Sequence, residues 1–292
     1  MIYTYADVLT DLARLYEDYP FIKFFKFGQS VMGRPLYGIK IGDGQNKVLY
    51  VAAHHSLEWL TSAMIMSFVE IYADAIKNDR ELCGYNAREL SEQSTMYIIP
   101  MLNPDGIDLV AGKIPQDNPF YENIVNQVGD IDFANLWQAN INGVDLNHNY
   151  NASFSPILSA PAPSRYGGPF PESEPESSAL ANLTRAIAPD LVIAFHSQGE
   201  EIYYDFEGHV PPRGEELARE FARISGYTLA QPSGSAAFGG YKDWFIKEFD
   251  RPGFTIEIGL GKNPLGFDQL EKVIGGNICI MMFAAANARE GV

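Results

Sequence analysis

The stretch Val48-Leu49-Tyr50-Val51-Ala52-Ala53-His54-His55-Ser56-Leu57-Glu58 decides how this chain is read. Val48 to Ala53 is an apolar run of buried-strand character, and it stops at two histidines. His55 and Glu58 are separated by two residues, so one turn after the strand end brings both side chains to the same side. A catalytic zinc takes three protein ligands, commonly imidazole nitrogen and carboxylate oxygen, and keeps a fourth position for water. His55 and Glu58 supply two such ligands. His54 competes with His55, but its side chain is expected on the opposite face of the strand, in a structural role. A second buried run, Leu191 to Phe195, ends at His196, the natural third ligand.

The flanking sequence supplies the frame for these residues. Residues 4–19 place Val8, Leu9, Leu12, Leu15 and Tyr16 at helical spacing. Phe21 to Phe27 and Leu36 to Ile41 read as strands around a turn at Gly33-Arg34-Pro35, and Asp43-Gly44 is a hairpin signal. A helix is expected over Thr61 to Ile76, and a strand over Thr95 to Pro100, ending in a turn at Asn103-Pro104-Asp105-Gly106. Residues 107–143 look irregular and polar, as a functional loop or lid would; a second long loop runs to about Pro171. Further helices are expected over Glu174 to Ile187, Gly214 to Ser225 and Asp268 to Ala288, with a strand over Phe254 to Ile258. Alternating strands and helices favour an α/β fold with a largely buried mixed sheet, whose ligands sit beyond the carboxyl ends of the strands. His55, Asn103 and His196 each follow such an end. Glu257 lies inside the last strand among apolar neighbours. An unpaired carboxylate is costly there, so it suits a general base acting on a metal-activated water; the alternative is an ion pair with a residue such as Arg251.

Composition narrows the function classes. The chain has 292 residues, 46% of them hydrophobic, enough for one large core in a single domain spanning 1–292. Its net charge of −16 argues against a nucleic-acid partner, which requires a surplus of Lys and Arg. Ile274 to Ala288 is apolar but too short and interrupted to span a bilayer, so no membrane insertion is expected. The first residues lack the features of a secretory leader, which makes the cytoplasm the expected compartment, or the cell wall or exterior if a leader has been removed. Cys83 and Cys279 lie far apart in segments that read as helical, and two buried free thiols are expected.

Taken together, these residues resemble the zinc carboxypeptidase (M14) family over nearly the whole chain. The resemblance is carried by Tyr3-Thr4-Tyr5, Gly28-Gln29-Ser30, Gly33-Arg34-Pro35-Leu36, His55-Ser56-Leu57-Glu58-Trp59, Asn103-Pro104-Asp105-Gly106, Gly143-Val144-Asp145-Leu146-Asn147, Ser173-Glu174-Pro175-Glu176, His196-Ser197 and the Glu257 strand. It implies a single domain with a mixed, mainly eight-stranded sheet flanked by helices. It implies one zinc ion on His55, Glu58 and His196, with Glu257 as base, and Asp145 hydrogen-bonded to the first ligand histidine, which would fix the imidazole tautomer.

The departures from the family pattern concern the substrate. Digestive-type members follow the Asn with an Arg, and the pair clamps a C-terminal carboxylate; here the pair is Asn147-His148. The oxyanion-stabilising Arg that follows a Trp is replaced by Gln138, a donor without charge. The Arg inside the first zinc motif is Leu57, and the tyrosine that closes on substrate has no match in Ser233 to Phe238, with Tyr241 a nearby substitute. The Asn-His pair and Gly239-Gly240-Tyr241-Lys242-Asp243-Trp244-Phe245 are similar to the bacterial branch of γ-D-glutamyl-diaminopimelate peptidases, or murein peptide amidases. The resemblance therefore implies a muropeptide substrate. A diaminopimelate residue offers both an amine and a carboxylate, so Asn147 and His148 are expected to meet a carboxylate and Asp243 or another acid the amine, unless Asp243 only caps a helix start. Three alternatives stand beside it: a metallocarboxypeptidase trimming ordinary peptides, a small-molecule deacylase, and a catalytically silent zinc-binding protein.

Overall fold

The computed structural model describes residues 2–155, 157–231 and 238–289. The strands are β1 (Lys23–Gln29), β2 (Pro35–Ile41), β3 (Asn46–Ala52), β4 (Glu81–Leu82), β5 (Tyr85–Asn86), β6 (Ser94–Ile99), β7 (Leu191–His196), β8 (Glu201–Tyr203), β9 (Thr228–Leu229) and β10 (Gly253–Glu257). The helices are α1 (Tyr5–Asp18), α2 (Trp59–Lys77), α3 (Ala87–Gln93), α4 (Pro104–Val110), α5 (Pro119–Val128), α6 (Phe133–Leu136), α7 (Pro175–Ile187), α8 (Gly214–Ser225), α9 (Tyr241–Phe249) and α10 (Leu270–Asn287). Eight strands form one mixed sheet in the order β1-β2-β6-β3-β7-β10-β8-β9, and β4 and β5 form a separate small hairpin.

The central strands are apolar at consecutive positions because both faces are covered. Val48, Tyr50 and Ala52 of β3 join the larger core, which α2, α8 and α10 help to form, while Leu49 and Val51 join a second core with Leu180, Trp244 and Phe245. Strand β7 divides the same way, Leu191, Ile193 and Phe195 to the first core and Val192 and Ala194 to the second. The surrounding helices carry their own signals. Thr4 and Asp7 make a capping box at the start of α1. Helix α8 buries Leu217, Ala218 and Phe221 on one stripe, with Glu215 and Glu216 in its first turn and Arg223 in its last, as the helix dipole favours. Helix α2 is long and apolar enough to cross a membrane, but it lies mostly buried in the core.

Several expectations are corrected. Asp43-Gly44 joins β2 to β3, but those strands do not pair, because β6 inserts between them. Gly44 is there for close approach: a Cβ on it would fall 1.9 Å from the Gln93 carbonyl carbon. Residues 107–143 are not irregular throughout, since they hold the end of α4, all of α5 and α6, each of the latter a short helix in a polar segment. Asn103 does not merely turn the chain; its side chain caps α4 by accepting from the Gly106 N–H at 3.1 Å. The cysteines are not free thiols, and Cys83 is not helical. Cys83 sits between β4 and β5 and is disulfide-bonded to Cys279 on α10, with Cα atoms 5.3 Å apart.

Candidate metal and catalytic site

The two-residue period of strands sets the first part of the site. On β10, Phe254 and Ile256 enter the larger core, which turns Thr255 and Glu257 to the other face. On β7, Val192 and Ala194 face the second core, and His196 continues their phase. Strands β7 and β10 are parallel and in register, with Glu257 directly opposite His196. The other two residues come from the end of β3. There Ala53 adopts a left-handed conformation (φ 55°), and His55 begins a 3-10 turn over Ser56–Glu58. Residues three apart eclipse in a 3-10 turn, which places the Glu58 carboxylate over the His55 ring.

The result is a closed triangle of ligand atoms. His55 Nδ1 lies 2.8 Å from Glu58 Oε1, His196 Nδ1 lies 2.9 Å from Glu58 Oε2, and the two Nδ1 atoms are 3.3 Å apart. All three residues offer ligand atoms within 4.8 Å of one another. Burial opposes charge on His55, but the Glu58 and Asp145 carboxylates outweigh it and hold its pKa well above the usual value. Burial likewise opposes ionisation of Glu58, and the two imidazoles overcome it and bring its carboxyl down to about 2. A divalent cation answers the same electrostatic demand, displacing the proton because a ligand imidazole is neutral. Two histidines and a carboxylate, buried with one open side, fit zinc.

The imidazoles are oriented by different means. His55 Nε2 meets Asp145 Oδ1 at 3.1 Å, so the acid fixes its tautomer. Asp145 is itself held by the Arg165 N–H at 2.8 Å and by the Asn147 N–H at 3.2 Å. The His196 ring stacks on the buried His54 ring, centroids 5.3 Å apart. His54 thus backs the site, with Nε2 3.3 Å from the Tyr150 hydroxyl, instead of pointing away across the sheet. The Asn103 amide ties the walls together, donating to the His54 and Ala139 carbonyls and to Ser56 Oγ at 3.1–3.2 Å.

A cavity of about 240 Å³ opens over the triangle, lined by His55, His196, Glu257, Gln138, Asp145, Asn147, His148, Arg165, Tyr203, Lys242, Asp243 and Thr255, with Gly240. Burial, and then repulsion from Glu58, hold the Glu257 carboxyl well above the usual carboxylate range. Arg251 does not pair with it; that guanidinium donates to the Ala188 and Pro189 carbonyls. Gln138 lies beside the metal triangle, its carbonyl accepting from the Ser56 N–H at 3.0 Å.

The substrate-facing expectations divide. Asn147, His148 and Asp243 line the cavity, and Tyr241 does not. The Tyr241 ring is fully buried against Tyr150 and Trp244, and its hydroxyl bonds Thr184 Oγ1 at 2.8 Å. As the first residue of α9 it turns its ring into the second core, so it cannot close on a ligand. Of the segment 233–238 searched for the closing tyrosine, only Phe238 falls within the described residues. Asn147 Oδ1 is engaged by the Tyr241 N–H at 3.0 Å, and His148 Nδ1–H donates to the Phe238 carbonyl at 2.8 Å. Asp243 is buried in an ion pair with its neighbour Lys242, whose ammonium also donates to the Asp205 carbonyl. Burial raises the Asp243 pKa, and the Lys242 charge opposes that rise.

Sequence reasoning missed Lys242, Arg165, Tyr203 and Thr255. Lys242 carried a signal, since a lysine followed by an acid in an otherwise apolar helix start is a ready ion pair. Arg165, in a loop of Pro, Ser and Gly, carried none.

The chain belongs to the zinc carboxypeptidase (peptidase M14) family, whose model matches residues 8–277, and it is therefore a zinc-peptidase-class hydrolase. Among characterised relatives it is 38% identical to gamma-D-glutamyl-L-diamino acid endopeptidase 1 of Lysinibacillus sphaericus, over 93% of this chain and 69% of that protein. The fold is shared with thrombin-activatable fibrinolysis inhibitor (TM-score 0.80, 20% identity, 100% of this chain and 75% of that one). It is also shared with the murein-tripeptide amidase MpaA of Escherichia coli O157 (TM-score 0.58, 22% identity, 89% of this chain and 91% of that one).

Proposed function

We propose that this chain is a zinc-dependent peptidase hydrolysing peptidoglycan-derived peptides at the amide between the γ-carboxyl of D-Glu and a diamino acid. The observation that carries the substrate class is the charge pattern of the cavity. Lys242 and Asp243 form a buried ion pair on its wall, beside His148. A buried pair adds little to stability; with Arg165 and His148 on the same lining, the cavity presents both signs of charge, which match a diamino acid with its amine and its carboxylate. Similarity to the L. sphaericus endopeptidase supports the same substrate class.

His55, Glu58 and His196 would hold one zinc ion. Zinc in such a set activates a water and polarises a carbonyl. Glu257 receives the proton of the attacking water and returns it to the leaving amine; its raised pKa favours holding that proton between the two transfers. Asp145 keeps His55 in one tautomer. Gln138 donates to the carbonyl oxygen as negative charge develops there, a neutral donor where an arginine would supply charge. Asp243 meets the substrate amine, and Asn147 and His148 use their remaining polar atoms on its carboxylate side.

The Cys83–Cys279 disulfide supports an oxidising compartment, outside the cytoplasm. The test is mass-spectrometric product analysis of the zinc-loaded protein with L-Ala-γ-D-Glu-meso-diaminopimelate and, separately, with a panel of ordinary peptides. Chelator-sensitive cleavage of the γ-D-Glu bond alone is expected. Release of C-terminal residues from the ordinary panel, with the γ-D-Glu bond intact, refutes the substrate assignment.

A further inference from the structure

We propose that Arg165 is the substrate-carboxylate anchor of this site, taking the place of the arginine that the chain lacks at position 148. The inference rests on the peptidase reading above and adds to it the residue that selects a free carboxylate on the amino acid released.

Three observations converge. Arg165 lines the cavity over the metal triangle and is otherwise exposed. Its guanidinium has no acidic partner among the described residues, and in this chain that is the exception. Of the eleven arginines, nine form ion pairs and Arg251 is spent on two backbone carbonyls. With 37 acids against 21 bases, a guanidinium without an acid stands out, and it stands in the cavity.

The backbone around Arg165 is fixed to the catalytic machinery. The Pro163 carbonyl accepts from the Gln138 and Ala139 N–H groups at 2.8 and 3.0 Å. The Arg165 N–H donates to Asp145 Oδ2 at 2.8 Å, and the Asp145 N–H donates to the Tyr166 carbonyl at 2.7 Å. The other Asp145 oxygen meets His55. One carboxylate therefore indexes Arg165 to the metal triangle. Arg165 also holds a left-handed backbone, φ 66°, a conformation that disfavours residues other than glycine.

The other cationic groups of the cavity are committed, and Asn147 brings only its neutral Nδ2 amide to a carboxylate. Asn147 Oδ1 and His148 Nδ1 are bonded internally, and His148 Nε2 faces Asp145 Oδ2 at 3.9 Å. Lys242 is held by Asp243 and the Asp205 carbonyl. An incoming carboxylate thus finds one uncommitted guanidinium, whose planar fork suits bidentate pairing.

The test compares two substrates differing in one group: L-Ala-γ-D-Glu-meso-diaminopimelate with a free α-carboxylate at the released residue, and the same peptide with an α-carboxamide. A charged hydrogen bond corresponds to about 10–100-fold in kcat/KM, the preference expected of the wild type for the acid. Arg165→Gln should raise KM for the acid by about that factor, spare kcat, and bring the two substrates to within about twofold. Arg165→Lys should recover part of the preference, as a point charge without the fork. A readout independent of turnover is calorimetric binding of meso-diaminopimelate to the metal-free protein, weakened by a similar factor in Arg165→Gln. Arg165→Asn, which tolerates a left-handed backbone, controls for a folding defect. Equal losses on acid and amide, or a preference unchanged in the variants, overturn the proposal. If ordinary peptides are cleaved and the γ-D-Glu bond is not, the acid–carboxamide comparison is made on those peptides. The substrate reading then fails while the Arg165 proposal is still decided.

Discussion

The metal triangle and the substrate wall are built on opposite principles, although they share one cavity. His196 and Glu257 stand on adjacent parallel strands in register, and His55 and Glu58 on the turn that ends a third, so the sheet itself sets their spacing. The substrate wall is assembled from the loop around Arg165, the turn at Asn147-His148 and the start of α9. These segments are laced together by side-chain-to-backbone bonds such as Asn147 Oδ1 to the Tyr241 N–H. The sheet fixes chemistry, and the loops set what is brought to it.

The largest effect expected from breaking this division is on the sheet side. Glu257→Gln should lower kcat by about 10³-fold or more while zinc, measured by atomic absorption, stays near one per chain. Activity close to wild type would show that another group takes the proton. Zinc removal by chelator should abolish turnover and lower the melting temperature, since binding to the folded state alone stabilises it. Readdition should restore both. A melting temperature indifferent to zinc would contradict the triangle as a binding site.

The same division explains what could be read in the sequence. Strand ends, burial phase and the His-x-x-Glu spacing are local periodic features, so β3, β7, β10 and α8 lay where the pattern put them, α8 to the residue. Pairing is not local. Nothing in Asp43-Gly44 says that β6 will come between β2 and β3, because that depends on a strand some fifty residues later. Tyr241 was misjudged for a related reason: its helical phase against a distant core decides whether the ring meets ligand or packing. Arg165 could not be singled out at all, because an unpaired guanidinium is defined by what every other acid is doing.

A test of intermediate size concerns the disulfide, which closes a separation of 196 residues between the β4–β5 hairpin and α10, away from the cavity. Its loss by the double substitution Cys83→Ser/Cys279→Ser should cost about 2–5 kcal/mol and several degrees of melting temperature. The kcat of the folded variant should hold, because neither cysteine touches the cavity. A fall in kcat at full occupancy of the folded state would mean that the far end of α10 positions the sheet edge.

The smallest effect expected is a pH dependence written into the buttress behind the substrate wall. Glu174 and Glu176, from the Ser-Glu-Pro-Glu motif, brace the turn leading to Asp145: Asn140 Nδ2 meets Glu174 Oε2 at 2.9 Å and Glu176 Oε2 at 3.3 Å. The Val31 N–H donates to Glu176 Oε1 at 3.0 Å. Burial, with the Asp105 and Glu174 charges adding to it and the Val31 bond opposing, raises the Glu176 carboxyl to about 8. An acid whose folded pKa lies above its unfolded value stabilises the fold in its protonated form. That contribution is complete below about pH 4.5, where the unfolded chain is protonated too, and declines as pH rises until it is gone above about 8. Glu176→Gln removes this titration while keeping the shape. The variant's melting temperature should therefore gain on the wild type steadily between pH 5 and pH 8, by several degrees in all, with no gain at pH 4.5. A gain that runs the other way, or none, would place Glu176 as an ionised partner of the loop and make the buttress an electrostatic one.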